Sequence, residues 1–574
     1  MNKLASAPAP AFNVNRRETL SWGFGLSVGS VLAGCGGGSS AGPTLDTLPD
    51  PQMLAASNKL LSLELNAQYA SQTMTIALAQ DPAFPGVAKK VATGLRSFNG
   101  QYMAPTLVLN IGDTLRINLI NKLPANVKGQ SKLDYLNYQN STNLHFHGLH
   151  VDPKEIRPGV FGDYVVDTAE AGVLPGASRQ HELTIPQVHT NGIYWYHPHL
   201  HGSSNVQVSS GMFGAIIIRD PADKFITSPD IRERVIHVHK VSLTDGKTET
   251  FYTSAGAAAS AFLLNGAYQP TIVMRPGEVQ NWHLINTASF YPFNPVLDDH
   301  TLLAYARDGN AFDRRFKPIN KATSTQFGNQ QWPGNALYPG GRHSVVVKAS
   351  DVPGVYYLRS VQSPSSEIKD EIVARVVVEG APMSTALPSA ANLRVYQDHA
   401  PITDAELASK GGKQRNLVLA ILPKTSTRLP QPIPEDNWSI PASDTTAPAF
   451  LVDLVFVSGD ASLSARLAPF QSSLTTTQTV ALDAVEEWTI NSLNDYPHPF
   501  HIHVNDSYVV KVNGEAVTPF WADTLPVPPK GSITFRMRFT DYTGKYVWHC
   551  HALDHEDLGM MQLVNVIGTQ RVVA

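Results

Sequence analysis

Four tight clusters of histidine most constrain what this chain can fold into. Ten of its 20 histidines fall in them, and each cluster contains the spacing His-x-His. The clusters comprise His145 and His147; His197 and His199; His498, His501 and His503; and His549, His551 and His555. In a β-strand, residues i and i+2 point to the same face, about 7 Å apart along the chain. Four such pairs predict eight imidazoles around one common cavity.

The last cluster also contains a cysteine. Cys550 lies between His549 and His551, so a strand would point its thiol away from the two imidazoles. One strand would then join two metal sites on its opposite faces. The second site would draw a thiolate, two imidazoles and a weak thioether from Cys550, His498, His555 and Met560. This set is diagnostic of blue copper, because zinc does not use an axial methionine and iron favours carboxylates.

Composition supports a β-rich chain with many turns. Of the 574 residues, 41 are Gly and 41 are Pro, and both residue types interrupt helices. Lys and Arg (44) nearly balance Asp and Glu (48), which excludes a polybasic nucleic-acid binder; no nucleic-acid partner is expected. The two cysteines exclude a disulfide framework and a thiolate-rich cluster.

A pattern of apolar strand, turn and second strand recurs along the chain. It occupies residues 106–119, 271–284 and 479–490, at roughly the spacing of a domain. The repeat predicts an all-β fold made of three copies of one β-sandwich. We predict domains at 58–222, 223–380 and 412–574, with a linker at 381–411.

Residues 1–35 read as an export signal rather than as part of the fold. Arg16 and Arg17 resemble a twin-arginine signal, although Thr19 stands where that pattern prefers Phe. The apolar stretch from Leu20 to Leu32 is too short and too rich in glycine to anchor the chain in a bilayer. We therefore expect export by the twin-arginine route.

Cys35 ends this signal and follows small residues, as in bacterial lipoprotein signals. A Gly- and Ser-rich stretch comes next, and we interpret residues 36–57 as a tether. The resemblance implies a lipid anchor at Cys35 and a location in the periplasm or cell envelope; the alternative is an ordinary secretory leader. Cys550 would be the only cysteine left in the folded part.

Taken together, the histidine clusters resemble the four signature motifs of three-domain multicopper oxidases, the laccase family. The motifs are Leu144-His145-Phe146-His147-Gly148, Trp195-Tyr196-His197-Pro198-His199, His498-Pro499-Phe500-His501-Ile502-His503, and His549-Cys550-His551 through Met560. The resemblance implies three cupredoxin-like Greek-key β-sandwich domains. It also implies four copper ions, one blue copper and one trinuclear cluster.

Carried over by position, the resemblance implies a ligand set for each copper. The blue copper would be bound by His498, Cys550 and His555, with Met560 as the axial ligand. The type 2 copper would be bound by His145 and His501. One copper of the coupled pair would be bound by His147, His197 and His551, and the other by His199, His503 and His549. The middle domain would bind no copper and would act as a spacer.

The implied reaction couples one-electron oxidation of a small reducing substrate to reduction of dioxygen to two waters. Electrons would enter through the exposed edge of His498 and cross Cys550. Glu556 matches the acid that supplies protons in the family; the alternative is a solvated loop acid. Either Glu155 or Asp163 is the second acid, and the sequence does not choose between them.

Phenols or aromatic amines are the first substrates we expect, and we expect a monomer. The alternative is a periplasmic cuprous or Mn(II) oxidase in metal tolerance. Enzymes that oxidise cuprous ion often carry a methionine-rich segment, but of ten methionines only Met560 and Met561 are adjacent. A copper-free scaffold or a one-copper electron carrier would not need every ligand position filled. A fifth pair, His237 and His239, lacks partner ligands and is interpreted as structural.

Overall fold

The regular secondary structure of the described chain is mostly strand. The computed structural model describes residues 47–77, 88–126, 138–167, 172–244, 247–248, 259–319, 324–327, 330–333, 335–361, 370–394, 396, 399–423, 454–457 and 477–569. The predicted export signal at 1–35 and residues 36–46 of the predicted tether lie outside this part.

Eleven strands come first. They are β1 Met53–Ala55, β2 Leu60–Ala77, β3 Ala88–Phe98, β4 Thr106–Asn110, β5 Thr114–Asn121, β6 His145–His147, β7 Glu155–Arg157, β8 Val160–Phe161, β9 Ser178–Thr184, β10 Gly192–His197 and β11 Gly214–Arg219. They form two sheets, with strand orders β1-β4-β11-β10-β6 and β3-β2-β5-β9-β8-β7.

The next strands repeat the arrangement. They are β12 Arg232–Thr244, β13 Lys247–Thr248, β14 Ala259–Leu264, β15 Ala267–Tyr268, β16 Thr271–Met274, β17 Val279–Asn286, β18 Pro295–Leu297, β19 Leu302–Arg307, β20 Asn310–Ala311, β21 Lys317–Ile319, β22 Ser324–Phe327, β23 Gln330–Pro333, β24 Arg342–Lys348, β25 Gly354–Ser360 and β26 Glu371–Val378. Their main sheets run β15-β14-β12-β17-β24-β19-β20 and β16-β26-β25-β18.

The last strands form the third pair of sheets. They are β27 Lys413–Pro423, β28 Leu454–Val457, β29 Thr477–Ala481, β30 Val485–Ser492, β31 His498–Ile502, β32 Ser507–Val512, β33 Glu515–Ala522, β34 Thr524–Val527, β35 Ser532–Arg538, β36 Gly544–Cys550 and β37 Met561–Ile567. The strand orders are β28-β27-β30-β35-β32-β33 and β29-β37-β36-β31-β34.

One pairing recurs in all three parts. The first long strand of each part runs parallel to the second strand of the sequence repeat: β2 beside β5, β12 beside β17, and β27 beside β30. A second parallel pair closes the other sheet of each part, β4 with β11, β16 with β26, and β29 with β37. The predicted all-β fold with three copies of one cupredoxin-like sandwich is confirmed. The exact domain boundaries stay a prediction.

Each sandwich has its own hydrophobic core. The alternating residues of the parallel strands supply it: Leu115, Ile117 and Leu119 in the first sandwich are at most 1% exposed. Trp282 and Trp488 are fully buried at the centres of the second and third cores. Because apolar residues alternate with polar ones along these strands, one face of each strand packs inward.

The prediction that residues 36–57 form a tether is wrong for the described residues 47–57. Met53–Ala55 pairs in parallel with Thr106–Val108, and Leu48 is buried in the second core. Residues 47–57 are therefore part of the fold, because their backbone and one apolar side chain have partners. The linker contains a 3₁₀ helix at Ala390–Asn392 and helix α2 at Asp404–Ser409.

Two other short helices lie just after the second histidine cluster of the sequence and at the end of the fourth. Helix α1 spans Ser204–Ser209 and helix α3 spans Leu553–Asp557. In the described part of the chain, every helix is too short or too polar to cross a membrane.

Candidate metal centre

Strand pairing brings the four histidine pairs together. In the first sandwich β6 lies antiparallel to β10, with His145 opposite His197. In the third, β31 lies antiparallel to β36, with His501 opposite His549. Each strand presents its histidines on one face because alternate residues point the same way. The two sandwiches therefore place their histidines against each other.

Eight imidazoles meet in one buried group, which we call the histidine cluster. Its members are His145, His147, His197, His199, His501, His503, His549 and His551, each at most 1% exposed. Across the two sandwiches, His145 stacks on His503 with ring centroids 3.7 Å apart, and His147 stacks on His501 at 3.8 Å. The convergence predicted from the spacing is present.

One predicted ligand set forms a compact triangle. The Nε2 atoms of His199, His503 and His549 lie 3.0, 3.2 and 3.4 Å from one another. An ion between them would be about 2 Å from each, the length of a metal–imidazole bond. The donor set therefore fits one copper.

The other predicted sets are assembled less tightly. His551 has its ring centroid 4.9 Å from that of His147 and 5.5 Å from that of His197. Among the described residues, His551 belongs to no group of three ligand atoms within 4.8 Å of one another. His145 and His501, predicted for the type 2 copper, lie together in such a group with His503.

Hydrogen bonds fix which nitrogen of several imidazoles is left for a metal. The Nδ1 atoms of His145, His197 and His501 bond Asp163, the Pro198 carbonyl and the Asp523 carbonyl at 2.9, 2.9 and 2.8 Å. Their Nε2 atoms are buried without a hydrogen-bond partner. Such outer partners orient metal-binding imidazoles, so the free Nε2 atoms are the expected ligands.

The charge state of the cluster also suits a metal. Burial, followed by the neighbouring imidazoles, lowers the pKa of His145 and His503 well below the usual range. Burial lowers the pKa of His197 to about 3. Neutral imidazoles are the form that binds metal ions. Copper fits this nitrogen-rich set better than magnesium or calcium, which prefer oxygen ligands.

A second group, which we call the sulfur site, lies on the other face of β36. It consists of His498, Cys550, His555 and Met560, all at most 2% exposed. Cys550 Sγ is 3.5 Å from Nδ1 of both His498 and His555. Met560 is adjacent, since the Cys550 amide donates to its carbonyl at 3.0 Å. Burial raises the pKa of the Cys550 thiol, so a thiolate here requires a bound cation.

The predicted exposed edge of His498 is wrong. The side chain is fully buried, and its Nε2 bonds the side-chain oxygen of Asn494 at 2.9 Å. The edge is covered because the segment before β31 turns back over the imidazole. The sequence showed no sign of this contact.

Glu556 is placed beside the histidine cluster by helix α3. It is fully buried, and its carboxylate lies 3.2 Å from His549 Nδ1 and 3.4 Å from His199 Nδ1. Ser204 on α1 donates to it at 2.7 Å. Burial raises the pKa of Glu556, but the two imidazoles and the hydrogen bonds outweigh it and hold that pKa low. The alternative of a solvated loop acid is therefore wrong.

The structure separates the two candidates for the second acid. Glu155 is exposed on β7 and accepts a hydrogen bond from the Gly159 amide. Asp163 is 1% exposed and bonds His145 Nδ1. Burial raises the pKa of Asp163 to about 8, although the Phe146 amide opposes the shift. Of these two candidates, only Asp163 touches the histidine cluster.

Sequence reasoning missed a contribution from the middle sandwich. Arg342 is fully buried and bonds Asp523 at 2.7 Å, and Asp523 lies 3.3 Å from His147 Nε2. Gly340, at φ +86°, packs so closely that an added Cβ would lie 2.9 Å from His551. Asp523 reaches the cluster because the next residue, Thr524, pairs with His501. This strand pairing cannot be read from the sequence, so Asp523 was missed. The middle sandwich is therefore more than a spacer.

The remaining histidines lie outside both groups. His237 and His239 are buried beside Phe213, at centroid distances of 5.2 and 4.9 Å. His239 Nδ1 bonds the Thr287 carbonyl at 2.8 Å. His150 bonds Asp541 at 3.0 Å on a half-buried surface. None of these imidazoles belongs to a group of three ligand atoms in the described part of the chain.

Three cupredoxin-like sandwiches, a cysteine-containing site and an interfacial histidine cluster define a copper-dependent oxidoreductase that uses dioxygen. Comparison with known proteins agrees. Residues 130–223 and 456–569 match two multicopper oxidase family profiles. These matches support a laccase-like multicopper oxidase.

Individual relatives are distant but extend over most of the chain. Multicopper oxidase mco of Staphylococcus aureus is 22% identical over 490 residues, 82% of this chain and 83% of its own. Laccase-1 of Melanocarpus albomyces is 23% identical over 80% of this chain and 73% of its own. The solved multicopper oxidase of Campylobacter jejuni, described as a metallo-oxidase, shares the fold at a TM-score of 0.63 and 19% identity, over 92% of this chain and 98% of that one.

Proposed function

We propose that this enzyme is laccase-like and oxidises phenols or aromatic amines. The supporting observation is a pair of aromatic side chains beside the sulfur site, Tyr496 and Phe290. Tyr496 lies 5.2 Å from His498 and Phe290 lies 5.6 Å from His555, measured between ring centroids. Both aromatic residues are half-buried, so they offer ring surface next to the electron entry site. Aromatic rings favour stacking with aromatic substrates.

The proposed cofactor set is four copper ions, one in the sulfur site and three in the histidine cluster. Bound copper would supply one-electron oxidation at the sulfur site and dioxygen reduction at the cluster. The peptide bonds on either side of Cys550 join the thiolate directly to His549 and His551. The chain thus links the two groups through a single residue of backbone.

Two buried acids serve the proton requirement of this proposal. Glu556 reaches His199 and His549, while Asp163 reaches His145, so they flank the cluster from different sandwiches. Ser204 holds the Glu556 carboxylate in place. A positioned acid of this kind typically accelerates proton-coupled steps by ~10²–10⁴-fold.

Oxygen uptake by copper-loaded enzyme tests the substrate. We expect kcat/KM to be higher with a phenol than with a cuprous complex or Mn(II). The Cys550→Ser variant is the matched control for uncatalysed oxidation. A higher kcat/KM with the cuprous complex or Mn(II) would favour the alternative, a metal oxidase. Metal analysis is the companion measurement: four coppers per chain agree with the proposal, one indicates an electron carrier and none a scaffold.

We also propose export by the twin-arginine route and lipid attachment at Cys35 in the periplasm or cell envelope. The support is the sequence around Arg16, Arg17 and Cys35. Protein expressed with its leader should partition into detergent, and Cys35→Ala should release or misprocess it. Wild-type protein that stays in the aqueous phase, with another N-terminal residue, would contradict the anchor.

A further inference from the structure

Basic side chains gather at one end of the middle sandwich. Arg307, the last residue of β19, pairs with His343 near the start of β24, and its Nε donates to His343 Nε2 at 3.3 Å. Lys317 begins β21 and pairs with Ala304 of β19. Arg315 lies two residues before Lys317. We call Arg307, Lys317 and His343 the basic group; none of them belongs to the sulfur site or the histidine cluster.

The hydrogen bond from Arg307 fixes the tautomer of His343. A guanidinium has only donors, so His343 Nε2 must accept with its lone pair and Nδ1 must carry the proton of the neutral ring. The ring is neutral because burial, followed by Arg307 and Lys317, lowers the pKa of His343 well below its usual range. The residue is 3% exposed, and Nδ1 is buried without a hydrogen-bond partner among the described residues. A buried N–H of this kind needs an acceptor.

The basic group carries positive charge that no described acid balances. Burial lowers the pKa of Arg307, and Asp308 offsets this shift only in part. Arg307, followed by burial and Arg315, lowers the pKa of Lys317 to about 8, and no carboxylate opposes the shift. Asp308 Oδ1 accepts the Arg342 amide at 2.8 Å, so this acid is engaged elsewhere. Cations held close together without a carboxylate favour the binding of an anion.

We propose that the basic group is a binding site for a small divalent oxyanion of the phosphate or sulfate class. Its guanidinium, ammonium and imidazole N–H come from three strands, β19, β21 and β24, which suits an anion with several oxygens. Two cations and one neutral donor balance a dianion, and the paired N–H groups of an arginine match the geometry of phosphate. Residues 314–334 contain two arginines, two lysines and no acid, so the neighbouring chain adds attraction. Lys317 is exposed, which leaves the group open to anions from solvent.

Binding should depend on pH through Lys317. The groups that face it are Arg307, Arg315 and His343. The arginines stay charged and His343 stays neutral around the pKa of about 8 that Lys317 has in the free protein. An anion binds the protonated ammonium, so the affinity should be constant well below this value and should fall as the pH rises through it. Sulfate does not titrate in this range, so a change in its affinity reports on the protein.

Isothermal titration calorimetry of copper-loaded enzyme with sulfate, at constant chloride, tests the site. We expect wild type to bind one sulfate per chain. Lys317→Ala and Arg307→Gln should each weaken binding about 10-fold or more, the usual effect of losing a hydrogen bond to a charged group. The matched control is Lys348→Ala, because Lys348 is an exposed lysine at the opposite end of β24. This control should bind sulfate as wild type does.

Lys317→Arg is the conservative variant. It keeps the charge and the donors, so it should bind sulfate at low pH about as well as wild type. Its guanidinium does not titrate near pH 8, so the loss of affinity with rising pH should disappear. Lys317→Ala carries the test if Arg307→Gln fails to fold, since Arg307 also packs over the ring of Phe520.

Two results would overturn the inference: no sulfate binding by wild type, or equal affinities in wild type and Lys317→Ala, which would place the anion elsewhere. Competition against sulfate then identifies the source of the oxyanion. Displacement by inorganic phosphate but not by glycerol 1-phosphate supports a site for the free ion. Displacement by both supports a site that also accepts the phosphate group of a larger molecule.

Discussion

The sulfur site and the histidine cluster share strand β36 but differ in how the chain builds them. The sulfur site takes all four of its members from the third sandwich, within residues 498–560. The cluster takes four imidazoles from the first sandwich and four from the third, and Arg342 supports it from the second. A site built within one sandwich depends on local strand geometry. A site built between sandwiches depends on how they pack.

This comparison predicts that substitutions act on the two groups separately, except at the strand they share. Cys550→Ser should have the largest effect, because the residue is both a member of the sulfur site and the covalent bridge to the cluster. We expect complete loss of the blue absorption and of oxidase activity, with copper retained in the histidine cluster. Absorption spectroscopy and metal analysis check this. A variant that remains blue would contradict the assignment of the sulfur site.

Glu556→Gln tests the cluster side alone. Glutamine keeps the size and most of the hydrogen bonding to Ser204 but cannot carry a proton. We expect an intact blue band, four coppers and normal anaerobic reduction, with reoxidation by dioxygen slowed ~10²–10⁴-fold. Stopped-flow reoxidation is the measurement. Unchanged reoxidation would assign the proton supply to Asp163 instead, and loss of the blue band would mean that Glu556 acts on both groups.

Asp523→Asn tests whether the middle sandwich supports the cluster. The change weakens the buried pair with Arg342 and the contact with His147, and losing one partner of a buried ion pair costs ~3–5 kcal/mol. We expect about 10–100-fold weaker copper binding in the cluster, with the blue band unchanged. EPR of the non-blue copper against chelator concentration measures it. Asp541→Asn, which weakens the half-buried pair with His150 outside the histidine cluster, is the control; equal effects of the two variants would remove the special role of Asp523.

Gly340→Ala should have the smallest effect of the four. Its φ of +86° disfavours any side chain, and the added Cβ would lie 2.9 Å from His551 and 3.0 Å from His147. We expect a loss of ~1–3 kcal/mol in stability, with altered non-blue copper signals and an unchanged blue band. Gly354→Ala is the control, because its Cβ would meet Tyr356 at an ordinary 3.6 Å. Thermal unfolding and EPR distinguish the two variants.

Much of the candidate site was predictable because period-two spacing on strands is local. The spacing of His145 and His147, and the position of Cys550 between two histidines, predict which side chains share a face. The recurring strand–turn–strand pattern predicts the sandwich, and the parallel pairs β2–β5, β12–β17 and β27–β30 agree with it. Both signals depend only on residues close together in the chain.

Other contacts were not predictable because they join distant residues. Asn494 covers His498 only because β27, some 70 residues earlier in the chain, holds its amide. The choice of Asp163 over Glu155 required the loop after β8 to fold onto β6. The tether prediction failed at Leu48 for the same reason, since its burial depends on strands more than 200 residues later.

The sequence by itself determined the chemistry of the ligands, their grouping on strand faces and the repetition of one sandwich. These properties follow from residue type and from the two-residue period of a strand. Only the tertiary structure decided that the middle sandwich reaches the histidine cluster through Arg342, that Glu556 is buried, and that His498 is covered. Those outcomes depend on which surfaces pack together. Packing is set by the combined shape and polarity of many residues far apart in the chain, and no short motif encodes it.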